Sequence, residues 1–170
     1  MADPLNADHL AAQEGGYEPQ RQSNWELELA LPGADRETIK LSVVSSSLPP
    51  ESSDEVELPY GNERRYVAGK TTFDSLPLVV NDFVDQETRA AILRWRRKVY
   101  NPATGAVGFA KDYKVDATIT LWGPDGTMER ECKVQGCWPQ AVVPGTLDHG
   151  AGDPVQIEVT IRYDKADWLI

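Results

Sequence analysis

Two histidines and two cysteines are the side chains of this chain best suited to chemistry near neutral pH. Catalysis at that pH usually relies on a histidine, an activated cysteine or a pair of buried carboxylates. His9 lies close to the N-terminus, and His149 lies in the glycine-containing loop Asp148–Gly152. A rigid sheet or helix would hold neither imidazole in a fixed position, so the sequence predicts no catalytic histidine.

The two cysteines do not form a recognisable metal site either. Cys132 and Cys137 lie on one short segment, CKVQGC, and lack the second pair of ligands that a structural zinc requires. Cys132 alternates in phase with Val134, which indicates a side chain that points into the core. We interpret the two cysteines as buried free thiols, with a disulfide within the chain or between two chains as the alternative.

Known catalytic and phosphate-binding motifs are also missing. The segment Ala68–Thr72 resembles the end of a phosphate-binding loop, but that loop needs a glycine where Arg64 stands, five residues before Gly69. Neither a Gly-x-Ser-x-Gly elbow nor a His-Glu-x-x-His pair occurs. The sequence therefore predicts no catalytic residue, no cofactor site and no metal site, and we expect that the protein is not an enzyme.

Composition narrows the class of protein further. The 170 residues suit one domain, and 27 acidic against 17 basic residues give a net charge of -10. Such a charge argues against duplex binding, because neutralising phosphates needs clustered lysines and arginines. No run of about 18 apolar residues predicts a membrane span, and the N-terminal segment MADPLNADHLAAQEGG has neither the basic region nor the apolar run of a secretory signal. We expect synthesis in a reducing cytoplasm and no membrane insertion.

Alternation of apolar and polar residues is the main structural signal. Residues 1–22 contain prolines and glycines without apolar periodicity, which predicts a flexible N-terminal arm before a single β domain at residues 23–170. Within that domain, apolar residues recur at every second position, as in half-buried strands. The predicted strands are Trp25–Leu31, Ile39–Val43, Val56–Tyr60, Arg65–Val67, Leu76–Asn81, Val115–Leu121, Met128–Val134 and Val155–Tyr163.

Turn residues and prolines refine this pattern. The segment Ser45–Asp54 contains too much serine and proline for regular pairing and is predicted as a loop. Gly61-Asn62 predicts the turn of a protruding hairpin, polar enough to stand in solvent or to reach a partner. Pro77 places the strand Leu76–Asn81 towards a sheet edge or makes it a strand start.

One segment, Asp85–Tyr100, has helical rather than strand periodicity. Asp85 can cap its start, and Asn101-Pro102 ends it. Its apolar face consists of Thr88, Ala91, Ile92, Trp95 and Val99, and its last turns carry Arg94, Arg96, Arg97 and Lys98. In so acidic a chain, a solvated face or a contact with an acidic neighbour explains this basic cluster better than a nucleic-acid site. The expected fold is mainly β, an antiparallel sandwich or barrel that carries a single helix.

The order of several motifs resembles a known family. Val67–Asp74 reads VAGKTTFD and leads into the strand that ends at Asn81-Asp82; Val134–Pro139 reads VQGCWP, and an alternating strand closes the chain. This order, with a helix between the first two motifs, resembles the tail tube proteins of contractile-tailed bacteriophages, the family of phage tail tubes and contractile injection system inner tubes. The resemblance covers about residues 24–165. Cys137 departs from it, since leucine is more typical there, and so do the glycine-rich loop Asn101–Lys111 and the long N-terminal arm.

The resemblance implies a structural virion protein, whose subunit is an antiparallel β-sandwich or half-barrel with one flanking α-helix. Subunits of that family form hexameric rings, in which a continuous barrel runs across the subunits, and the rings stack into the hollow tail tube through which phage DNA is ejected. The implied partners are further copies of the chain, the tail sheath protein, the baseplate or tube initiator, and the tail terminator. The tape measure protein and DNA would pass through the lumen without specific binding. The implied location is the tail tube of the virion.

The resemblance also implies roles for particular segments. The hairpin region Ser45–Thr72 would contact the neighbouring ring, the helix Asp85–Tyr100 would face the sheath, and Trp138-Pro139 would form a packing turn. A lumen that repels DNA would suit the net charge of -10. Candidate lumen acids are Glu26, Glu28 and Glu158.

Two alternatives remain open at the level of sequence. The chain could be the inner tube or tube initiator of a phage-derived contractile injection particle. It could also be a β-sandwich that binds a small ligand or a carbohydrate with exposed tryptophans and tyrosines as platforms. Five tryptophans make this possible, although Trp25 and Trp95 lie in phase with apolar faces and are expected in the core.

Overall fold

A computed structural model describes residues 17–84 and 87–169 of the chain. Most of the predicted arm, with His9, and the predicted cap Asp85 lie outside these residues. The helices are α1 (Arg36–Ser42), α2 (Thr88–Val99) and α3 (Ala110–Tyr113). The strands are β1 (Trp25–Leu29), β2 (Val43–Ser46), β3 (Glu51–Tyr60), β4 (Glu63–Phe73), β5 (Leu76–Asn81), β6 (Tyr100–Asn101), β7 (Ala106–Val107), β8 (Val115–Trp122), β9 (Met128–Val143), β10 (Gln156–Arg162) and β11 (Lys165–Leu169). Across the described part of the chain, every helix is too short or too polar to cross a membrane.

Two antiparallel sheets share the long strand β9. The first half of β9 lies between β8 and β11, and β1 pairs with the other side of β8. The second half of β9 pairs with β10, which is followed by β5 and β2. The mainly β, antiparallel fold expected from the sequence is thus confirmed.

A glycine, and not a turn, takes the chain from one sheet into the other. Gly136 has a φ of 69°, a conformation that favours glycine, and its N–H donates to the Asp116 carboxylate at 3.1 Å. The strand bends there and continues, so that Trp138 pairs with Arg162 and Pro139 with Ile161. The predicted packing turn at Trp138-Pro139 is therefore wrong, because both residues lie within β9.

The core lies between the sheets and under α2. The inward residues of the alternating strands are buried, including Leu27, Leu76 and Ile157. On α2, Thr88, Ala91, Ile92 and Trp95 are buried as predicted, whereas Val99 is only half-buried. The Trp95 indole N–H donates to the carbonyl of Tyr113 at 2.7 Å, which fixes α2 against α3. The helix is confirmed, but it begins at Thr88, three residues later than predicted.

The predicted strand Ile39–Val43 is wrong, since most of it belongs to the helix α1. The Asp35 carboxylate accepts hydrogen bonds from the Glu37 N–H at 3.4 Å and the Thr38 hydroxyl at 3.2 Å, which caps the helix. Ile39 is buried whereas Leu41 is 64% exposed, as a helix requires and a strand with both on its apolar face does not. The described residues thus contain three helices, where the sequence predicted one.

The predicted loop Ser45–Asp54 is correct only in its middle. Ser45 and Ser46 belong to β2, and β3 begins at Glu51. The Ser53 hydroxyl bonds to that of Thr71 at 2.9 Å, so serine side chains support the pairing instead of preventing it. The predicted protruding hairpin is confirmed, with Gly61 at a φ of 62° in its two-residue turn.

Two more strands, β5 and β11, differ from the prediction. Pro77 is the second residue of β5, which agrees with a strand start, but β5 lies between β10 and β2 and is not an edge. The strand β11, which pairs with β9 from Lys165 to Leu169, was not predicted from the sequence.

Candidate assembly surfaces

Within the described residues, the side chains first considered for chemistry, His149, Cys132 and Cys137, do not form a common site. His149 is exposed in its loop, where the Asp148 carboxylate accepts a hydrogen bond from the N–H of Gly150. Among residues 17–84 and 87–169, no cluster of three or more histidine, cysteine or acidic side chains could hold a metal ion.

The two cysteines are buried free thiols, as the sequence predicted. Burial raises the pKa of Cys137 to about 12, with the nearby Asp116 carboxylate adding to the effect, and burial also raises the pKa of Cys132. Their partners on β8, Ile119 and Val115, are four residues apart, about 13 Å, which is well above the roughly 7 Å limit between the Cα atoms of a disulfide. Both sulfurs are also inaccessible to another chain, so the disulfide alternative is wrong for the folded subunit.

The strand β1 forms one open sheet edge. Its backbone bonds to β8 involve the Asn24 carbonyl and the Ala30 N–H, at 2.9 and 3.2 Å. Because bonding alternates along an antiparallel ladder, the backbone groups of Trp25 and Leu27 point away from β8. In the described chain β1 has no second partner strand, and neither has β2 beyond β5. Such edges offer rows of donors and acceptors to another chain.

An apolar groove lies beside these two edges. Trp25 and Val44 contribute to it from β1 and β2, Leu48 from the following loop, and Ile119 and Leu121 from β8. Its volume is about 560 Å³. The groove and the adjoining edges form a surface that combines apolar contact area with backbone hydrogen-bonding groups.

The hairpin of β3 and β4, called the ribbon below, stands away from the sheets. Within the described part of the chain the two strands pair only with each other, and nearly all of their residues are exposed. Val56, Leu58 and Tyr60 share one face of β3, and Tyr60 is 86% exposed. The ribbon is held at its base, where the Tyr163 hydroxyl donates to the Pro50 carbonyl at 3.1 Å. A solvent-exposed two-stranded ribbon is marginally stable alone, so this one suits a contact with a partner.

The basic cluster on α2 divides into a paired and an unpaired part. Arg89 pairs with Asp82 at 2.7 Å, and Arg94 pairs with Glu87 at 3.0 Å. The three cations of the last turn, Arg96, Arg97 and Lys98, have no ion-pair partner among the described residues. The predicted solvated or acid-binding face therefore corresponds to the C-terminal end of the helix.

The three candidate lumen acids differ in their surroundings. Glu26 pairs with Lys40 at 3.3 Å, and Glu28 pairs with Arg36 at 2.9 Å. The hydrogen bond and charge of Glu26 raise the pKa of Lys40. Glu158 is exposed on β10 and has no ion-pair partner in the described part of the chain. Helix α1 thus compensates two of the three acids and leaves the third uncompensated.

Comparison with known proteins identifies the fold. No protein-family model matches the chain, and the search of curated proteins finds no match. Among solved structures, a chain of the PVC sheath-tube complex, part of an extracellular contractile injection system, is 17% identical with a TM-score of 0.69, over 98% of this chain and 99% of that chain. A chain of the anti-feeding prophage tube terminating cap is 16% identical with a TM-score of 0.72, over 94% of this chain and 96% of that chain.

The chain has the fold of contractile-tail tube proteins. Hcp1 from Flavobacterium johnsoniae shares it more distantly, at 14% identity and a TM-score of 0.51 over 85% of this chain and 93% of that chain. The resemblance read from the motif order is therefore confirmed at the level of the fold. The first two of these neighbours come from a sheath-tube complex and from a tube terminating cap.

Proposed function

We propose that the chain is the structural tube subunit of a contractile particle. The observation that carries this proposal is the similarity of fold, over 98% of this chain, to a chain from the sheath-tube complex of a contractile injection system. The open edges and the exposed ribbon support it, because they are features of a subunit that pairs with other copies. Copies would close into hexameric rings, and the rings would stack into a hollow tube.

Ring closure would use the two open edges and the groove beside them. An edge of one subunit pairs with an edge of the next, so that the sheets join into a continuous barrel and no row of backbone groups stays exposed. The apolar lining of the groove, Trp25 and Leu121 among it, becomes buried in the same step. The ribbon then reaches the neighbouring ring.

Other components of the particle follow from the same proposal. The exposed side of α2 faces the sheath, and the ends of the tube bind a baseplate or tube initiator and a terminator. Fold matches to chains from a sheath/tube terminator and from a baseplate, at TM-scores of 0.71 and 0.65, support the choice of terminator and baseplate as partners. A tape measure protein and the cargo pass through the lumen without specific binding, and an uncompensated acid such as Glu158 repels DNA.

The kind of particle determines the cargo and the location. In a phage tail the chain is a virion protein and the cargo is DNA, whereas in an extracellular injection particle it is an inner tube. The structurally similar chains from PVC and the anti-feeding prophage belong to injection particles and not to phage tails, which favours the inner tube.

A ligand-binding sandwich is less consistent with the structure. Carbohydrate-binding surfaces of that class use exposed aromatic rings, and Trp95 is only 2% exposed. The other four tryptophans are each partly buried. The tryptophans are therefore poor platforms, and the most exposed aromatic ring, that of Tyr60, lies at the tip of the ribbon.

Sedimentation velocity with negative-stain electron microscopy tests the proposal. We expect self-association as the concentration rises, with rings or stacked hollow tubes in the images. Val44→Lys places a charge on the exposed edge strand β2 and should reduce association without unfolding the subunit. Leu41→Lys is the matched control, because Leu41 is exposed on α1 and off the edge. A chain that stays monomeric at every concentration would contradict the proposal.

A further inference from the structure

The apolar groove beside β1 and β2 continues into a second hollow, and we call the two together the extended groove. Leu48 and Leu121 line both parts, and the second part adds Trp168 and Leu169 from β11. The volumes of the two parts are about 560 and 460 Å³. Leu48 is 50% exposed and Leu169 is 45% exposed. A continuous apolar surface of this kind on a single subunit indicates a site that another segment covers.

The described part of the chain starts close to the rim of this groove. Residues 20–22 line the groove just before the chain enters β1. The side-chain amide of Gln20 donates to the carbonyl of Trp122 at 3.1 Å and to that of Asn24 at 3.3 Å. These bonds hold residue 20 against the end of the sheet. Residues 1–16, which lie outside the described residues, are therefore tethered to the rim of the groove by only a few residues.

The sequence of residues 1–16 has the chemistry that the extended groove would bind. It contains Leu5 and Leu10 among mostly small and polar residues, and it has no lysine or arginine. Its acidic residues are Asp3, Asp8 and Glu14. The groove supplies an apolar lining for the leucines, and it also carries Arg130, which has no ion-pair partner among the described residues. Apolar surface and charge thus match in the same place.

We propose that residues 1–16 fold back and place Leu5 and Leu10 in the extended groove of their own subunit. Gly15 and Gly16 stand between the leucines and the rim, and glycine permits the reversal of chain direction that this contact needs. The ten residues from Leu10 to Gln20 span at most about 36 Å, so the leucines stay near the groove. A tether of this length gives the segment an effective concentration on the order of 1 mM at the groove. A free second copy at micromolar concentration competes poorly with it.

The consequence for assembly rests on the proposed function, because ring closure buries the same groove. A neighbouring copy must displace the segment before the edges of β1 and β2 can pair. Only subunits with an open groove can then bind, and the apparent dissociation constant rises by the inverse of the open fraction. The segment therefore acts as an intramolecular cover that weakens the association of free subunits.

Hydrogen exchange on the dilute, unassociated chain tests the contact within one subunit. Leu5→Ser/Leu10→Ser removes the two apolar side chains and leaves the charge of the segment unchanged. Peptides that contain Trp25 and Val44, which line the groove, should exchange at least about threefold faster in this variant, as expected of a groove covered in about two thirds of the subunits. The matched control is Leu41→Ser/Leu147→Ser, which makes the same two changes at leucines that are 64% and 86% exposed outside the groove. The control should leave the exchange of these peptides unchanged.

A change in the groove itself provides the second half of the test. Leu48→Ser alters a half-exposed loop side chain, so the fold should survive, which circular dichroism and the melting temperature will verify. It should also speed exchange at Trp25 and Val44. Combined with Leu5→Ser/Leu10→Ser it should add less than the sum of the two effects, because both changes remove the same contact. Additive effects would overturn the inference, and so would protection that appears only at concentrations where the chain associates, since the segment would then lie on a second copy.

Sedimentation velocity at higher concentration separates the inference from the proposed function. Leu5→Ser/Leu10→Ser should associate more tightly than the natural chain, by about the factor seen in hydrogen exchange. Equal exchange in the variant and the natural chain overturns the inference, and so does weaker association of the variant. Rings formed by the natural chain support the proposed function in either case. A natural chain that never associates contradicts the proposed function, whereas the exchange of the dilute chain still decides the inference.

Discussion

Trp95 provides a test of how α2 is held against the rest of the subunit. Its side chain is 2% exposed, and its indole N–H donates to the Tyr113 carbonyl at 2.7 Å. Trp95→Phe keeps an aromatic ring but leaves that carbonyl without its donor, which costs about 1–3 kcal/mol. Loss of the second ring of the indole removes packing worth roughly 1 kcal/mol more. We therefore expect the free energy of unfolding to fall by about 2–4 kcal/mol.

The assay is urea unfolding followed by circular dichroism at a concentration where the chain does not associate. Leu93→Ala is the control, because Leu93 lies on the exposed side of the same helix and should cost less than about 0.5–1 kcal/mol. Relative to the natural chain, Trp95→Phe should speed hydrogen exchange in α3, which Trp95 contacts, more than in β10. If Trp95→Phe is no more destabilising than Leu93→Ala, the assigned role of the buried indole is wrong.

Two other predictions concern the thiols and the first helix. Folded Cys137 keeps its proton up to about pH 12, whereas the unfolded thiol releases it near 9.0, so the unfolded state binds fewer protons between these values. Stability should therefore fall as the pH rises through that window, by up to about 1.4 kcal/mol per unit, and Cys137→Ala should weaken this dependence in urea titrations at each pH. Asp35→Ala removes the cap of α1 and should cost about 1 kcal/mol in the same unfolding assay, whereas Asp35→Asn should cost little; equal losses in both variants would contradict the capping role.

Alternation predicted most strands because each has one buried face. In β8 and β10 every inward position contributes to the core, so period two is visible without knowledge of the neighbours. The seven residues of α1 are too few for a helical period to exceed a strand period, and Ile39, Leu41 and Val43 fit the latter. The signal that favoured a helix was Asp35, because aspartate is a preferred residue at the N-cap of a helix.

The features that the sequence did not predict depend on contacts between distant residues. The passage of β9 between sheets requires Gly136 in a left-handed conformation and an acceptor, Asp116, twenty residues away. The ribbon was predictable, since its turn residues adjoin its strands. The return of the chain to the end of α2 was not predictable, because it depends on a backbone bond from Gly108 to Val99.

The distribution of charge bears on which acids could act on a cargo in the lumen. A carboxylate that pairs with a cation at about 3 Å contributes little potential beyond a few ångströms, because the two fields cancel. Glu26 and Glu28 are in this position, since α1 supplies Lys40 and Arg36. The misassignment of α1 as a strand thus hid the cations that make these acids poor candidates. Glu158 retains its field, so under the proposed function it is the acid of the three whose reversal should most alter the passage of a charged cargo through the tube.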